Sequence, residues 1–154
     1  MALVALDSNL LLLLVVGSAS RKYIGMHKRL RAYAESDFDL LLEQLSVASA
    51  IVLTPNTLTE TSNLIDYIGE PARSDVYRAL ATILDLSESQ ETYVPSKQAV
   101  SFRELPRLGL TDCALLSLCL QGVTLVTADL QLFLAVIRRG AKALNFNHLR
   151  DAQA

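Results

Sequence analysis

Short apolar runs alternate along this chain with longer stretches of helical periodicity, and capping or turn residues mark nearly every change. Leu3-Val4-Ala5-Leu6 is continuously apolar and closes on Asp7-Ser8-Asn9. A run this short, ending in residues that cap helices, predicts a buried strand over 3–7. Leu10 to Val16 contains no polar position, which predicts a helix buried on every side. Ser20 to Tyr33 is basic and predicted to be partly helical. Ser36 and Asp39 read as the start of another helix, in which Phe38, Leu41, Leu42 and Leu45 recur at i, i+3, i+4 and i+7 so that one face packs.

Ile51-Val52-Leu53-Thr54 predicts a second strand stopped by Pro55, with a helix over about 57–68 and Gly69 just past its end. A further helix covers about 73–84. Thr92-Tyr93-Val94 predicts a third strand before Pro95, then a helix through about Phe102 and a loop carrying Pro106 and Gly109. Thr111 is placed to cap a helix over 112–121 that Gly122 terminates. Leu125-Val126-Thr127 predicts a fourth strand, Leu130 to Arg139 a helix ended by Gly140, and Ala143-Leu144-Asn145-Phe146 a fifth, edge strand. Strands alternating with helices imply an α/β fold, with a parallel sheet of about four to five strands covered on both faces. Ligands of such sheets bind beyond the carboxyl ends of the strands, where the connections diverge.

Composition narrows this picture. The 154 residues are 51% hydrophobic and 19% charged, which supports one compact domain over 1–154 with an aliphatic core. Net charge is −2 and the isoelectric point about 5.6, so no global field attracts a polyanion, and any such substrate must be met locally. Cys113 and Cys119 are six residues apart in one predicted helix, about 600° of rotation, and so poorly set for a disulfide. Two thiols without further Cys or a His pair make no zinc signature, and a reducing, cytoplasmic setting follows. Leu10 to Val16 followed by Gly17-Ser18-Ala19-Ser20 resembles a secretory signal. The start carries no Lys or Arg, however, and seven residues are too few to cross a bilayer, so no membrane association is expected.

Four acids stand where carboxylates are least welcome. Asp7 and Asp129 directly follow predicted strands, Asp112 is in phase with Leu115, Leu116, Cys119 and Leu120, and Glu60 lies on the helix after the second strand. Each has an ordinary alternative. Asp7 and Asp129 can cap helices, and Asp112 can complement a helix dipole for under about 1 kcal/mol. Glu60 can lie on a solvated stripe with Thr57 and Asn63, opposite Leu58, Ile65 and Ile68. All four are nonetheless compatible with a single strand-end pocket, and ionised groups gathered there demand a cation.

The ordered stretches Leu6-Asp7-Ser8-Asn9, Leu58-Thr59-Glu60-Thr61, Leu110-Thr111-Asp112-Cys113-Ala114 and Leu125-Val126-Thr127-Ala128-Asp129 resemble the acidic motifs of PIN-domain nucleases. The resemblance extends over nearly the whole chain and implies a PIN-like α/β/α sandwich. It implies that Asp7, Glu60, Asp112 and Asp129 are catalytic and bind metal, with Thr127 and Asn9 supporting them from behind. Two departures stand out: a longer helical segment at about 17–50, and Cys113 where a small residue is usual. The activity implied is hydrolysis of RNA phosphodiesters with Mg²⁺ or Mn²⁺, hard ions that prefer carboxylate oxygens.

The resemblance is closest in kind to VapC-type toxins, which implies a type II toxin-antitoxin role, a cognate antitoxin and a homodimer. The Leu10 to Leu14 run is expected to leave apolar surface for a partner. A housekeeping RNA-processing nuclease or a non-catalytic PIN-like binding module are the alternatives. Arg21, Lys22, Lys28, Arg29 and Arg31, interleaved with Tyr23, His27 and Tyr33, form the dense basic cluster, read either as an RNA-tracking surface or as a solvated helix face. No Gly-x-Ser-x-Gly elbow, Walker loop or dinucleotide fingerprint is present, and neither His27 nor His148 has a partner motif for catalysis.

Overall fold

In a computed structural model, which describes residues 2–153, five strands form one sheet. They are Leu3–Leu6 (β1), Ala50–Leu53 (β2), Ser89–Glu91 (β3), Thr124–Thr127 (β4) and Ala143–Asn145 (β5). The order is β3-β2-β1-β4-β5, and every neighbouring pair is parallel. Alternation within each run explains why strands at the centre are continuously apolar. Val4, Leu6, Leu53 and Val126 enter one core, whereas Ala5, Val52 and Leu125 enter a second core on the opposite face.

The first core is covered by Ser8–Ala19 (α1), Glu35–Ser46 (α2), Pro55–Ile65 (α3) and Ala72–Asp85 (α4). Covering the second are two short turns of helix, Ser96–Ala99 (α5) and Leu105–Leu108 (α6), with Leu110–Leu120 (α7) and Leu130–Arg138 (α8). Phe146–Gln153 (α9) closes the described chain. The architecture is an α/β/α sandwich around an all-parallel sheet, as the alternating pattern predicts.

As its lack of polar positions predicts, α1 is buried all round: Leu10 to Leu13 have no exposed area and Leu14 has 4%. These leucines therefore supply the core and leave no docking surface, contrary to the expectation from their number. The Gly17-Ser18-Ala19 stretch that resembles a signal cleavage end is the last turn of this helix. Among the described residues, no helix is long and apolar enough to cross a membrane.

Gly17 is required by packing, since a Cβ there would overlap the Phe38 ring of α2. Gly17→Ala should gain roughly 1 kcal/mol of helix propensity and lose more to overpacking, for a net cost of about 1–2 kcal/mol. Urea denaturation of the single variant and of Gly17→Ala/Phe38→Leu checks this, because trimming the ring should restore part of the loss.

Segment 17–50 continues from α1 through two 3-10 turns, Arg21–Met26 and Lys28–Leu30, into α2. It is built into the domain: Ile24, Leu30, Phe38, Leu40 and Leu41 all enter the first core. Arg21 ties it together through Glu35 and Asp39, and Arg150 of α9 reaches Asp37.

Six local expectations need correction. The third strand is Ser89–Glu91, not Thr92-Tyr93-Val94. Its residues are polar because an edge strand pairs on one side only and its other side meets water. Pro55 does not merely stop β2; it opens α3 at the first helical position, with the Thr54 hydroxyl accepting from the Thr57 amide at 3.0 Å. Thr57 is consequently buried rather than part of a solvated stripe.

Thr111 lies inside α7, whose preceding residue is Gly109 at φ +83°. That helix is buried almost all round from Thr111 to Cys119, while Leu120 is exposed, so it has no simple apolar stripe. Both cysteines are free and buried. Finally, Phe146 begins α9 instead of ending β5. The Asn145 side chain accepts from the amides of Asn147 and His148, a cap that turns the strand into a helix.

Candidate functional site

The chain steps outward from β1 to β2 and β3, then returns to place β4 on the other side of β1. The connections therefore diverge between β1 and β4, which makes that gap the natural crevice of the sheet. Asp7 leaves β1 there, and Thr127-Ala128-Asp129 leaves β4 beside it.

Asp7 is 6% exposed and fully engaged. Its Oδ1 accepts from the Leu10 amide at 2.8 Å, capping α1. Its Oδ2 accepts from the Thr127 hydroxyl and from the Ala128 amide at 3.1 Å, linking residues 120 apart in sequence in the first of these bonds. Thr127 Oγ1 in turn accepts from the Asp129 amide at 3.0 Å. Asp129 is exposed and caps α8 by accepting from the Leu132 amide at 3.1 Å. Capping and membership of an acidic cluster are thus not alternatives. One oxygen fixes the side chain to a helix end while the carboxylate as a whole stands at the strand ends.

Glu60 projects from α3 and is held from two sides: Oε1 accepts from the Ser8 hydroxyl at 3.1 Å, and Oε2 accepts from the Thr111 hydroxyl. Asp112 follows Thr111 on α7, and its side chain makes no hydrogen bond among the described residues. Its carboxyl is pushed up to about 7, first by burial and then by the charges of Asp7, Asp129 and Glu60. Asp7 is also raised, again chiefly by burial, with repulsion from Asp129 adding to it and the Thr127, Leu10 and Ala128 hydrogen bonds opposing it. The four carboxylates therefore share one field.

No Lys, Arg or His among the described residues pairs with any of them. The ion pairs lie elsewhere, at Arg21, Arg78, Arg139 and Arg150. Nor is any group of three or more Asp, Glu, His or Cys side chains among the described residues drawn in tightly enough to close on an ion. In donor type these are hard carboxylate oxygens, the kind Mg²⁺ and Mn²⁺ prefer, and Mg²⁺ keeps several waters and takes only one or two carboxylates directly. A dedicated all-protein cage is not what these residues offer.

Asn9 is exposed on α1 and lines a cavity of about 300 Å³ with Glu60 and Arg29, but the hydrogen bond to Glu60 comes from its neighbour Ser8. A second cavity of about 340 Å³ lies on the Thr111 side of Glu60. Of the basic cluster, only Arg29 reaches either cavity. Arg21 is committed to Glu35 and Asp39, whereas Lys22, Lys28 and Arg31 are exposed away from both.

The expected stacking tyrosines are also spoken for. Tyr23 donates to Asp75, and Tyr33 packs on Phe146 beneath Arg150. His27 is fully buried, and His148 is exposed edge-on to Phe133. Sequence reasoning missed Ser8 and Thr111 as the residues that hold Glu60. The available signal was that each adjoins an acid of the set, Asp7-Ser8 and Thr111-Asp112. No protein-family model matches the chain, and no relative is found among the curated proteins.

Proposed function

We propose that this chain is a metal-dependent endoribonuclease of the PIN-domain type, hydrolysing RNA phosphodiester bonds with Mg²⁺ or Mn²⁺ at Asp7, Glu60, Asp112 and Asp129. The observation that carries this reading is electrostatic. Four carboxylates at the switch point of a parallel sheet have no protein cation, and the resulting field raises Asp112 to about 7. Such a cluster is costly unless a cation binds it, whereas carboxylates serving only as helix caps need not converge.

The residues divide the work. Asp7, immobilised by three hydrogen bonds, fixes the position of the centre; Thr127 couples it to Asp129; Ser8 and Thr111 set the angle of Glu60. Asp112 supplies an unengaged carboxylate that feels the charges of the other three. When bound, the divalent ion supplies an activated water and neutralises charge on the attacked phosphate.

Asp129→Asn provides a mild test, because the amide oxygen can keep the α8 cap. Cleavage of a single-stranded RNA in Mn²⁺ should fall about 10–100-fold, as for a group that ligates or orients through water, with little change in melting temperature. Unchanged cleavage would remove Asp129 from the centre, and absence of divalent-dependent cleavage by the wild type would sink the nuclease reading.

In the cell we assign the chain to the toxin half of a type II toxin-antitoxin pair, acting in the cytoplasm as a homodimer and silenced by a cognate antitoxin protein. The buried free thiols fit a reducing compartment. Arrest of growth on inducing the chain alone, relieved by Asp112→Asn, separates a toxin from a housekeeping nuclease.

A further inference from the structure

Glu60 stands between two cavities, and its own tethers mark them. Ser8, which holds one oxygen, lines the cavity of about 300 Å³ with Asn9, Arg29 and Asn63; Thr111, which holds the other, lines the cavity of about 340 Å³ with Asn56, Tyr93 and Ser96. The two differ in chemistry. The first carries a guanidinium and the second an aromatic ring.

Arg29 makes no ion pair among the described residues, although it lines a cavity together with Glu60. It is held over the Tyr67 ring, 5.1 Å from its centroid, and its backbone is fixed by His27. The buried His27 imidazole accepts the Arg29 amide proton at Nδ1, 3.0 Å away, which leaves the ring proton on Nε2 to donate to the Leu64 carbonyl at 2.9 Å. Leu64 is in the last turn of α3, so a rigid, uncharged histidine pins the Arg29 turn to the helix that carries Glu60. A guanidinium placed this way presents a planar fork suited to phosphate.

Tyr93 follows the end of β3, is 72% exposed, and its hydroxyl makes no hydrogen bond among the described residues. Val94 beside it is anchored in the second core, which fixes the backbone from which the ring projects. A ring free on its faces at the mouth of a cavity is a platform for a base. Half-buried Asn56 offers amide donors and acceptors to that base's edge.

Resting on the nuclease reading above, we infer that an unpaired RNA strand crosses the acidic centre over Glu60, with Arg29 gripping a backbone phosphate on one side and Tyr93 stacking on a base on the other. Only an unpaired base exposes a face to Tyr93; a duplex keeps its bases stacked on one another. Arg29 and Tyr93 are positioning residues, and together they set the path of the strand past the carboxylates.

The test is fluorescence anisotropy with a labelled eight-nucleotide RNA, single-stranded and as a duplex, in EDTA so that cleavage does not intervene. The expected result is tighter binding of the single strand. Tyr93→Ala should weaken it about 10-fold with no change in salt dependence, and Tyr93→Phe should restore it. Arg29→Met should weaken it and reduce the slope of log K against log salt by about 0.7, the value for one phosphate of a single strand. Lys142→Met, at the opposite end of the sheet, should leave the slope unaltered. Wild-type affinity and slope in both Tyr93→Ala and Arg29→Met, or no preference for the single strand, overturns the inference. If those variants bind like wild type while the wild type cleaves RNA in Mn²⁺, only the strand path is wrong. If the binding pattern holds without any cleavage, the nuclease reading is wrong and the strand path stands.

Discussion

Replacing Asp112 with Asn is expected to make the metal-free protein more stable and to abolish the RNA cleavage proposed above. The Asp112 carboxyl is raised from an ordinary 3.8 to about 7 in the folded protein, by burial first and then by three neighbouring carboxylates. The folded state therefore holds this proton where the unfolded chain releases it, and stability declines as pH rises from about 4 through about 7. A rise of that size corresponds to at most about 4 kcal/mol of destabilisation above pH 7. Asn has nearly the same shape and cannot ionise, so it removes that penalty.

Urea denaturation at pH 8 should show Asp112→Asn more stable than wild type by roughly 2–4 kcal/mol, the two converging near pH 4. The raised Asp7 carboxyl works in the same direction as Asp112. Glu104 works in the opposite one, because Arg139 beside it holds its carboxyl down to about 2. Its contribution is present above about 4.5 and is lost as pH falls toward 2. Wild-type stability should accordingly peak near pH 5. Loss of RNA cleavage in the same variant should be about 10³-fold or more, the scale of one electrostatic group acting on the reacting phosphate. An Asp112→Asn protein no more stable than wild type at pH 8 would mean that the four charges do not meet.

The second large effect is stabilisation by divalent ions. At 100 times its dissociation constant, an ion that binds only the folded chain adds about 2.7 kcal/mol. For a domain of this size that raises the melting temperature by roughly 5–10 °C. Because Asp112 titrates at about 7, binding near neutral pH must displace a fraction of a proton, and affinity should fall as pH drops below 7. Calorimetry of Mn²⁺ binding in two buffers of different ionisation enthalpy measures that proton directly. Proton release should vanish well above neutral pH and shrink in Asp112→Asn, where the raised Asp7 carboxyl is left to supply it. Equal stabilisation by sodium chloride at matched ionic strength would point to screening alone and would remove the specific site.

Much of this was legible along the chain. The apolar runs at 3–6, 51–53 and 125–126 have no polar alternation because both faces of each strand are buried, and this alone implies a parallel sheet covered by helices. Uninterrupted leucines at 10–14 likewise imply a helix enclosed on all sides. Asp7 and Asp129 were readable too, because a carboxylate directly after an apolar strand is conspicuous without any partner, and Asp112 stood out by its phase with Leu115, Leu116 and Cys119.

Tertiary structure decided the rest. Sequence periodicity reports on residues within a few turns of one another, so it cannot see Thr127 donating to Asp7 across 120 residues, or Ser8 meeting Glu60 across 52. Those contacts exist because β4 pairs with β1 and α3 packs beside α1, which are choices of strand order rather than of local propensity. The same limit hid β3, whose polar residues are tolerated only because the fold puts that strand at an edge. Among five basic residues with similar local surroundings, Arg29 alone lines a cavity beside Glu60, on a turn that a buried histidine fastens to α3. Residue types determined which chemistry was possible; the pairing of distant segments determined where four like charges meet, and an electrostatic field belongs to positions in space.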